Sequence, residues 1–219
     1  MAKLIIFGAG DIARLAHYYF TRDSEHEVVA FTVDEKYKQG DAFLDLPLVA
    51  FETIAQRYPA GEYKLFVALS YAKMNKIREE KYRAAKAAGY ELVSYVSSRC
   101  SFLTDYPIGD NCFILEDDTV QPFVKIGNNV TLWSGNHIGH DAVIEDHCFL
   151  ASHIVVSGYV RIGNNCFIGV NATLRNSITI APETLIGAGA SIMKDTVAKG
   201  VYLAPRAELS SKTSDQIEL

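Results

Sequence analysis

Cysteine is scarce in this chain, with four residues in 219, and no two of them form a Cys-x-x-Cys pair. Zinc-ribbon and dithiol chemistry are therefore not indicated. Basic charge is also in short supply: 21 Lys and Arg against 26 Asp and Glu leave a net charge of −5. That balance argues against nucleic acid or an anionic membrane as a partner. No stretch approaches the roughly 20 consecutive apolar residues of a membrane span. The opening MAKLIIFGAG has one Lys and a short apolar run, which Gly8, Gly10 and Asp11 interrupt short of a signal peptide. With 49% hydrophobic and 21% charged residues, the composition points to a globular, cytoplasmic protein.

What the chain has in abundance is periodicity. From Ile108 to Ile192 every sixth residue is Ile, Leu or Val, fifteen times in succession. Chance would give such a run on the order of once in a billion. Four residues after each apolar position a small or β-branched side chain usually recurs, as at Cys112, Val130, Ala142, Cys148, Cys166 and Ala172. Asp118 and Asn136 are exceptions. Gly often follows the apolar residue, at Gly109, Gly127, Gly139, Gly163, Gly169 and Gly187, where a corner needs backbone freedom or close stacking. A six-residue repeat of this kind predicts a parallel β-helix, each coil burying the same positions as its neighbour. Cys112, Cys148 and Cys166 then point inward as small hydrophobes.

Ahead of the repeats the pattern is different. Lys3 to Phe7 reads as a buried strand, followed by the turn Gly8-Ala9-Gly10-Asp11 and the helical spacing of Ile12, Leu15, Ala16 and Tyr19. Strands are expected over Val28–Val33, Lys64–Leu69 and Glu91–Val96, with a helix from Ala72 to Ala88. These elements predict a parallel α/β unit of about 95 residues. Asp34 closes the second strand and suits hydrogen bonding to a ribose or base. Ser70 falls at the same carboxyl edge. A tight strand-to-helix turn with no ligand, or a dinucleotide site, are alternative readings of the glycines.

Four of the six histidines lie between 137 and 153. His147 and His153 fall on corners of successive faces, so they do not converge as metal ligands need to. His140 and Asp141 occupy another corner and project outward.

The I-G-x-x-(small)-x pattern resembles the left-handed β-helix acyltransferases. With the N-terminal unit added, the chain resembles the sialic acid O-acetyltransferases and the nucleotide-sugar N-acetyltransferases of bacillosamine and perosamine biosynthesis. The resemblance implies a Rossmann-like α/β domain (1–95) holding a nucleotide-linked amino sugar, then a left-handed β-helix (96–219) with three hexapeptides per coil. It also implies a homotrimer with sites between subunits, acetyl-CoA as cosubstrate and no metal.

Carried over, Gly8, Gly10 and Asp11 face the diphosphate or ribose, and Asp34 and Ser70 face the nucleotide. His140 is the general base and Asp141 its orienting carboxylate. Gly158, one coil on from His140, offers its amide to the oxyanion. Val170 and Ala188 form a column along which pantetheine runs. Near the end, residues 187–209 (GAGASIMKDTVAKGVYLAPRAEL) resemble the family's terminal coil and coenzyme A-binding, capping segment, with Leu203-Ala204-Pro205 where the family usually has Gly-Asn-Pro, a departure that leaves the exact adenine contact open. Trp133 stacks on ligand or packs at the trimer interface. Asn136 and His137 contact the sugar or bond to the coil.

The leading function is thus acetyl-CoA-dependent N-acetylation of a nucleotide-linked amino deoxysugar, in surface polysaccharide biosynthesis. O-acetylation of a sugar hydroxyl is the first alternative, and a non-catalytic nucleotide-sugar-binding scaffold the second.

Overall fold

A computed structural model describes residues 2–218. The N-terminal segment forms strands β1 (Lys3–Phe7), β2 (Glu27–Val33), β3 (Ala42–Phe43), β4 (Leu46–Ala50) and β5 (Tyr63–Val67). They pair in the order β3-β4-β2-β1-β5, parallel except for the β3–β4 hairpin. Helices α1 (Asp11–Arg22), α2 (Ile54–Arg57) and α3 (Lys76–Ala87) complete it. Ile5, Phe7, Leu65 and Val67 bury one face of the sheet, and Leu4, Ile6, Phe31 and Phe66 the other. Near-continuous apolar runs are what a doubly covered parallel sheet requires.

Two local differences from the sequence expectation have physical causes. The helix expected from residue 72 begins at Lys76, because Lys73, Met74 and Asn75 all adopt left-handed backbone, with φ of 50°, 52° and 65°. The strand expected over Glu91–Val96 is reduced to a bridge at Leu92 and the pair Tyr95–Val96. Between them Ser94 turns away, donating to the Gly109 carbonyl at 2.8 Å and accepting from the Cys112 amide.

Beyond residue 94 the chain winds as a left-handed parallel β-helix with three faces. Face A runs from Tyr95–Val96 through Thr131–Leu132 to Val201–Tyr202. Face B runs from Ser101–Phe102 through His137–Ile138 to Ser191–Ile192, and face C from Lys125–Ile126 to Thr179–Ile180. Successive coils pair in constant register, Thr131 with Phe149, Phe149 with Phe167 and Phe167 with Leu185, until Leu185 meets Val201 after a slightly shorter step. The apolar positions and the small column interdigitate inside, most of them fully buried.

Every sixth residue from Asn111 to Gly189 has a left-handed φ, between 54° and 80°. Asn, Asp and Gly tolerate that conformation, and they fill eight of these fourteen corners. The glycines after the apolar residues serve close stacking instead. A Cβ on Gly139 would lie 2.6 Å from the Gly158 nitrogen in the next coil.

The α/β unit is docked on face A and its two edges. Asn75 donates to the Cys166 carbonyl at 3.0 Å, and buried Arg78 donates to Thr131 Oγ1 and to the carbonyls of His147 and Cys148. Tyr71 packs on Phe149 and Phe167, and Tyr19 donates to Glu116 at 2.7 Å. His147 is buried beneath α3, its Nδ1 2.9 Å from Asn129 Nδ2, and burial pushes its pKa down.

Candidate active site

His140 stands on the edge between faces B and C, opposite face A. Its side chain is half exposed and its Nδ1 lies 3.0 Å from Asp141 Oδ2. Asp141 is the corner residue of that coil, with φ 59°, so the chain's own turn presents the carboxylate beside the ring. A carboxylate at Nδ1 holds the proton there and leaves Nε2 as the acceptor. Two further contacts fix the residue. Gln121 Oε1 accepts the His140 amide at 2.9 Å, and the Tyr159 ring meets the imidazole edge-on at 5.1 Å.

Gly158 lies directly across this imidazole. A Cβ there would be 2.8 Å from His140 Nε2, so any other residue would push the ring from this position. The Gly158 carbonyl accepts from Ser177, while its amide donates to no protein acceptor among the described residues. A basic nitrogen thus lies beside the backbone of a residue whose N–H is free, and proton removal and oxyanion stabilisation need these two kinds of group.

Sequence reasoning missed Tyr159 and Gln121. Tyr159 carried a readable signal: a bulky aromatic at a corner position that demands left-handed backbone, φ 61°, and 59% exposed. Such a breach of local preference marks a place where something other than folding selects the residue.

A second site lies in the α/β unit. A cavity of about 450 Å³ opens at the carboxyl ends of β1 and β2, lined by Gly8, Ala9, Asp34, Tyr37, Phe43, Leu69 and Lys81 among others. Its position is where open α/β sheets take ligands, and its size suits a nucleotide. Asp34 is 7% exposed and its Oδ2 pairs with Lys81 Nζ at 2.8 Å. Burial opposes the charge on Lys81, but hydrogen bonds to Asp34 and Glu80 outweigh it and raise the pKa. Lys81, midway along the expected helix, gave no sequence signal separable from the other charges of α3.

The remaining predicted residues divide. Gly8 has φ 133°, and a Cβ there would strike the Ala68 carbonyl at 2.7 Å, so it serves strand–turn packing as well as the cavity. Gly10, Asp11 and Ser70 lie outside the cavity lining, and Asp11 is exposed and paired with Arg14. Trp133 is half buried, packed with the cluster that includes Ala9, Ile12 and Tyr19, and stacked on Phe149. Asn136 is buried: its side chain donates to the Trp133 carbonyl and accepts from the Ile154 amide, so it fastens the coil. His137 is half-exposed on face B. Val170 and Ala188 flank the corners Asn171 and Gly189, on the edge between faces A and B rather than on the edge of His140.

The bacterial transferase hexapeptide (six repeats) family matches residues 123–158 and 159–194. Among solved structures, the chain is similar to PerB from Caulobacter crescentus in complex with CoA and GDP-perosamine, at 21% identity and TM-score 0.81, covering 93% of this chain and 95% of that one. The acetyltransferase domain of PglB from Neisseria gonorrhoeae aligns at 20% identity and TM-score 0.77, covering 93% and 97%. WeeI from Acinetobacter baumannii aligns at 18% identity and TM-score 0.77, covering 92% and 96%. Residues 123–194 are thus bacterial transferase hexapeptide repeats, and the chain as a whole carries the fold of PerB and of the PglB acetyltransferase domain.

Proposed function

We propose that this protein transfers the acetyl group of acetyl-CoA to the amine of a nucleotide-linked amino deoxysugar. The observation that carries the reading is His140: its Nδ1 is held by Asp141, and its Nε2 lies beside the backbone of Gly158, whose amide donates to no protein acceptor among the described residues. In this reading residues 1–95 bind the nucleotide through the cavity beside Gly8 and Asp34, and residues 96–219 bind the acyl donor. His140 Nε2 takes a proton from the attacking amine. The N–C bond forms at the thioester carbonyl, Gly158 N–H stabilises the oxyanion, and collapse expels the coenzyme A thiolate. The cofactor similarity adds support, since PerB was solved with CoA and GDP-perosamine.

The site is completed by a second copy of the chain. The nucleotide cavity belongs to the unit that covers face A, whereas His140 stands on the opposite edge, and Val170 and Ala188 on a third position around the coil. No single chain brings these together. A homotrimer of parallel β-helices, with one subunit's nucleotide cavity facing the next subunit's His140, does so.

Product analysis tests the chemistry: an N-acetyl product resists alkaline hydroxylamine, whereas an O-acetyl ester is cleaved. His140→Ala should lower turnover by roughly 10²- to 10⁴-fold. Full activity in that variant would remove His140 from the mechanism.

A further inference from the structure

Three columns of corner residues run along the β-helix, one on each edge, all at left-handed φ. Two of the columns are filled mainly by Asn, Asp and Gly. The column between faces B and C is different: it reads Phe123, Asp141, Tyr159 and Ser177, with an exposed aromatic ring one coil to either side of Asp141. No other corner from Asn111 to Gly189 carries a phenyl or phenol ring. A bulky side chain is disfavoured in this conformation, and an exposed ring buries little surface to offset the cost.

At Tyr159 the ring has a partner. The Tyr159 amide donates to the His140 carbonyl at 3.0 Å, and the phenol stands at 88° to the imidazole with ring centres 5.1 Å apart. Perpendicular packing at that distance is a preferred aromatic geometry. The phenol hydroxyl makes no hydrogen bond to another described residue, so the imidazole is what the side chain meets. His140 needs such a wall. Its imidazole is half exposed, and Asp141 at Nδ1 is the ring's one hydrogen-bond partner among the described residues. The torsion that turns an imidazole has broad wells, and one exposed hydrogen bond contributes little to choosing among them. Gly158 clears the space that the imidazole fills. The adjacent phenol narrows that space to the orientation with Nδ1 on Asp141 and Nε2 beside the Gly158 backbone.

We propose that Tyr159 is a positioning residue: its ring holds the His140 imidazole in the orientation that proton transfer needs, at a cost in stability. The consequence for turnover rests on the acetyl-transfer reading above, whereas the orientation can be read without it. Tyr159→Asn removes the ring and installs a residue suited to left-handed backbone, so structural and positioning roles predict opposite signs. In the full chain this variant should raise the urea midpoint while lowering kcat roughly 3- to 10-fold, with KM for acetyl-CoA nearly unchanged. Tyr159→Phe, which keeps the ring, should restore most of kcat. Nitrogen NMR of labelled histidine, with the His140 signals identified by their loss in His140→Ala, needs no substrate. Wild type should hold the proton on Nδ1, and Tyr159→Asn should move part of it to Nε2. Wild-type kcat in Tyr159→Asn, or an equal loss in Tyr159→Phe, would overturn the proposal. So would a lowered midpoint with unchanged imidazole signals, which would assign the ring to contact between copies of the chain. If the wild type releases no thiol from acetyl-CoA with any acceptor, the acetyl-transfer reading falls and the imidazole signals alone decide: unchanged in Tyr159→Asn they refute the positioning role, and shifted they uphold it.

Discussion

At the scale of single residues, the site depends on what is missing at position 158 as much as on what is present at 140. Gly158→Ala places a methyl group 2.8 Å from His140 Nε2, and the three nearest neighbours of that methyl are all atoms of the imidazole. It should cut kcat at least tenfold, by roughly 1.4 kcal/mol or more of transition-state stabilisation, while the thermal midpoint stays within a few degrees. Steady-state kinetics and a melting curve on the same sample check both halves. Asp118 makes a different residue-scale prediction. It is buried inside the coil, its Oδ1 accepting the Asn136 amide and its Oδ2 without a partner. Burial first, then Glu116 and Asp117 nearby, push its pKa up from 3.8 to about 8, against the hydrogen bonds from Asn136. The folded state thus holds this proton more tightly than the unfolded state, so stability falls as pH rises from about 4 to 8. Asp118→Asn should flatten that fall and leave the variant more stable than wild type above pH 8, as urea midpoints across the range will report.

Elements were legible in the sequence to very different degrees. The β-helix was plain, because a six-residue period repeated over 85 positions leaves no other fold, and Ile108 to Ile192 keep it without exception. The corner that carries His140 and Asp141 followed from the same register. The hairpin β3–β4 was not legible: two residues and five residues of strand around Leu44 and Asp45, both at left-handed φ, give no period to read. Nor was the late start of α3, since Lys73 and Met74 are ordinary helix residues, and the left-handed backbone they share with Asn75 accompanies the docking of Asn75 on the coil. Cavity members such as Lys81 and Tyr37 were hidden for a similar reason, because tertiary packing alone brings them to Asp34. The docking itself rests heavily on one side chain. Arg78 is 1% exposed, its pKa drawn down by burial to about 10, and its three acceptors all lie on the β-helix. Arg78→Met should cost about 2–4 kcal/mol by leaving the His147 carbonyl without its donor and removing the second donor to the Cys148 carbonyl and the donor to Thr131 Oγ1. A lowered urea midpoint is the expected reading.

Over the whole molecule, the cavity beside Asp34 belongs to the unit docked on face A and the imidazole stands on the opposite edge, so the proposed reaction calls for a second copy of the chain. Mixing His140→Ala subunits with subunits disabled at Asp34 should restore part of the activity that each lacks alone, after unfolding and co-refolding. If each chain worked by itself, the mixture would remain inactive. Sedimentation of the wild type at several concentrations should give three times the mass of the 24.2 kDa chain.

The most direct test of the acetyl-transfer account is release of free coenzyme A thiol from acetyl-CoA, scored against UDP-, dTDP- and GDP-linked 3-amino and 4-amino deoxysugars. The account predicts release with one of these amino sugars and none with the same nucleotide sugar lacking its amine. Equal release with the hydroxyl analogue, or silence across the panel, would contradict it.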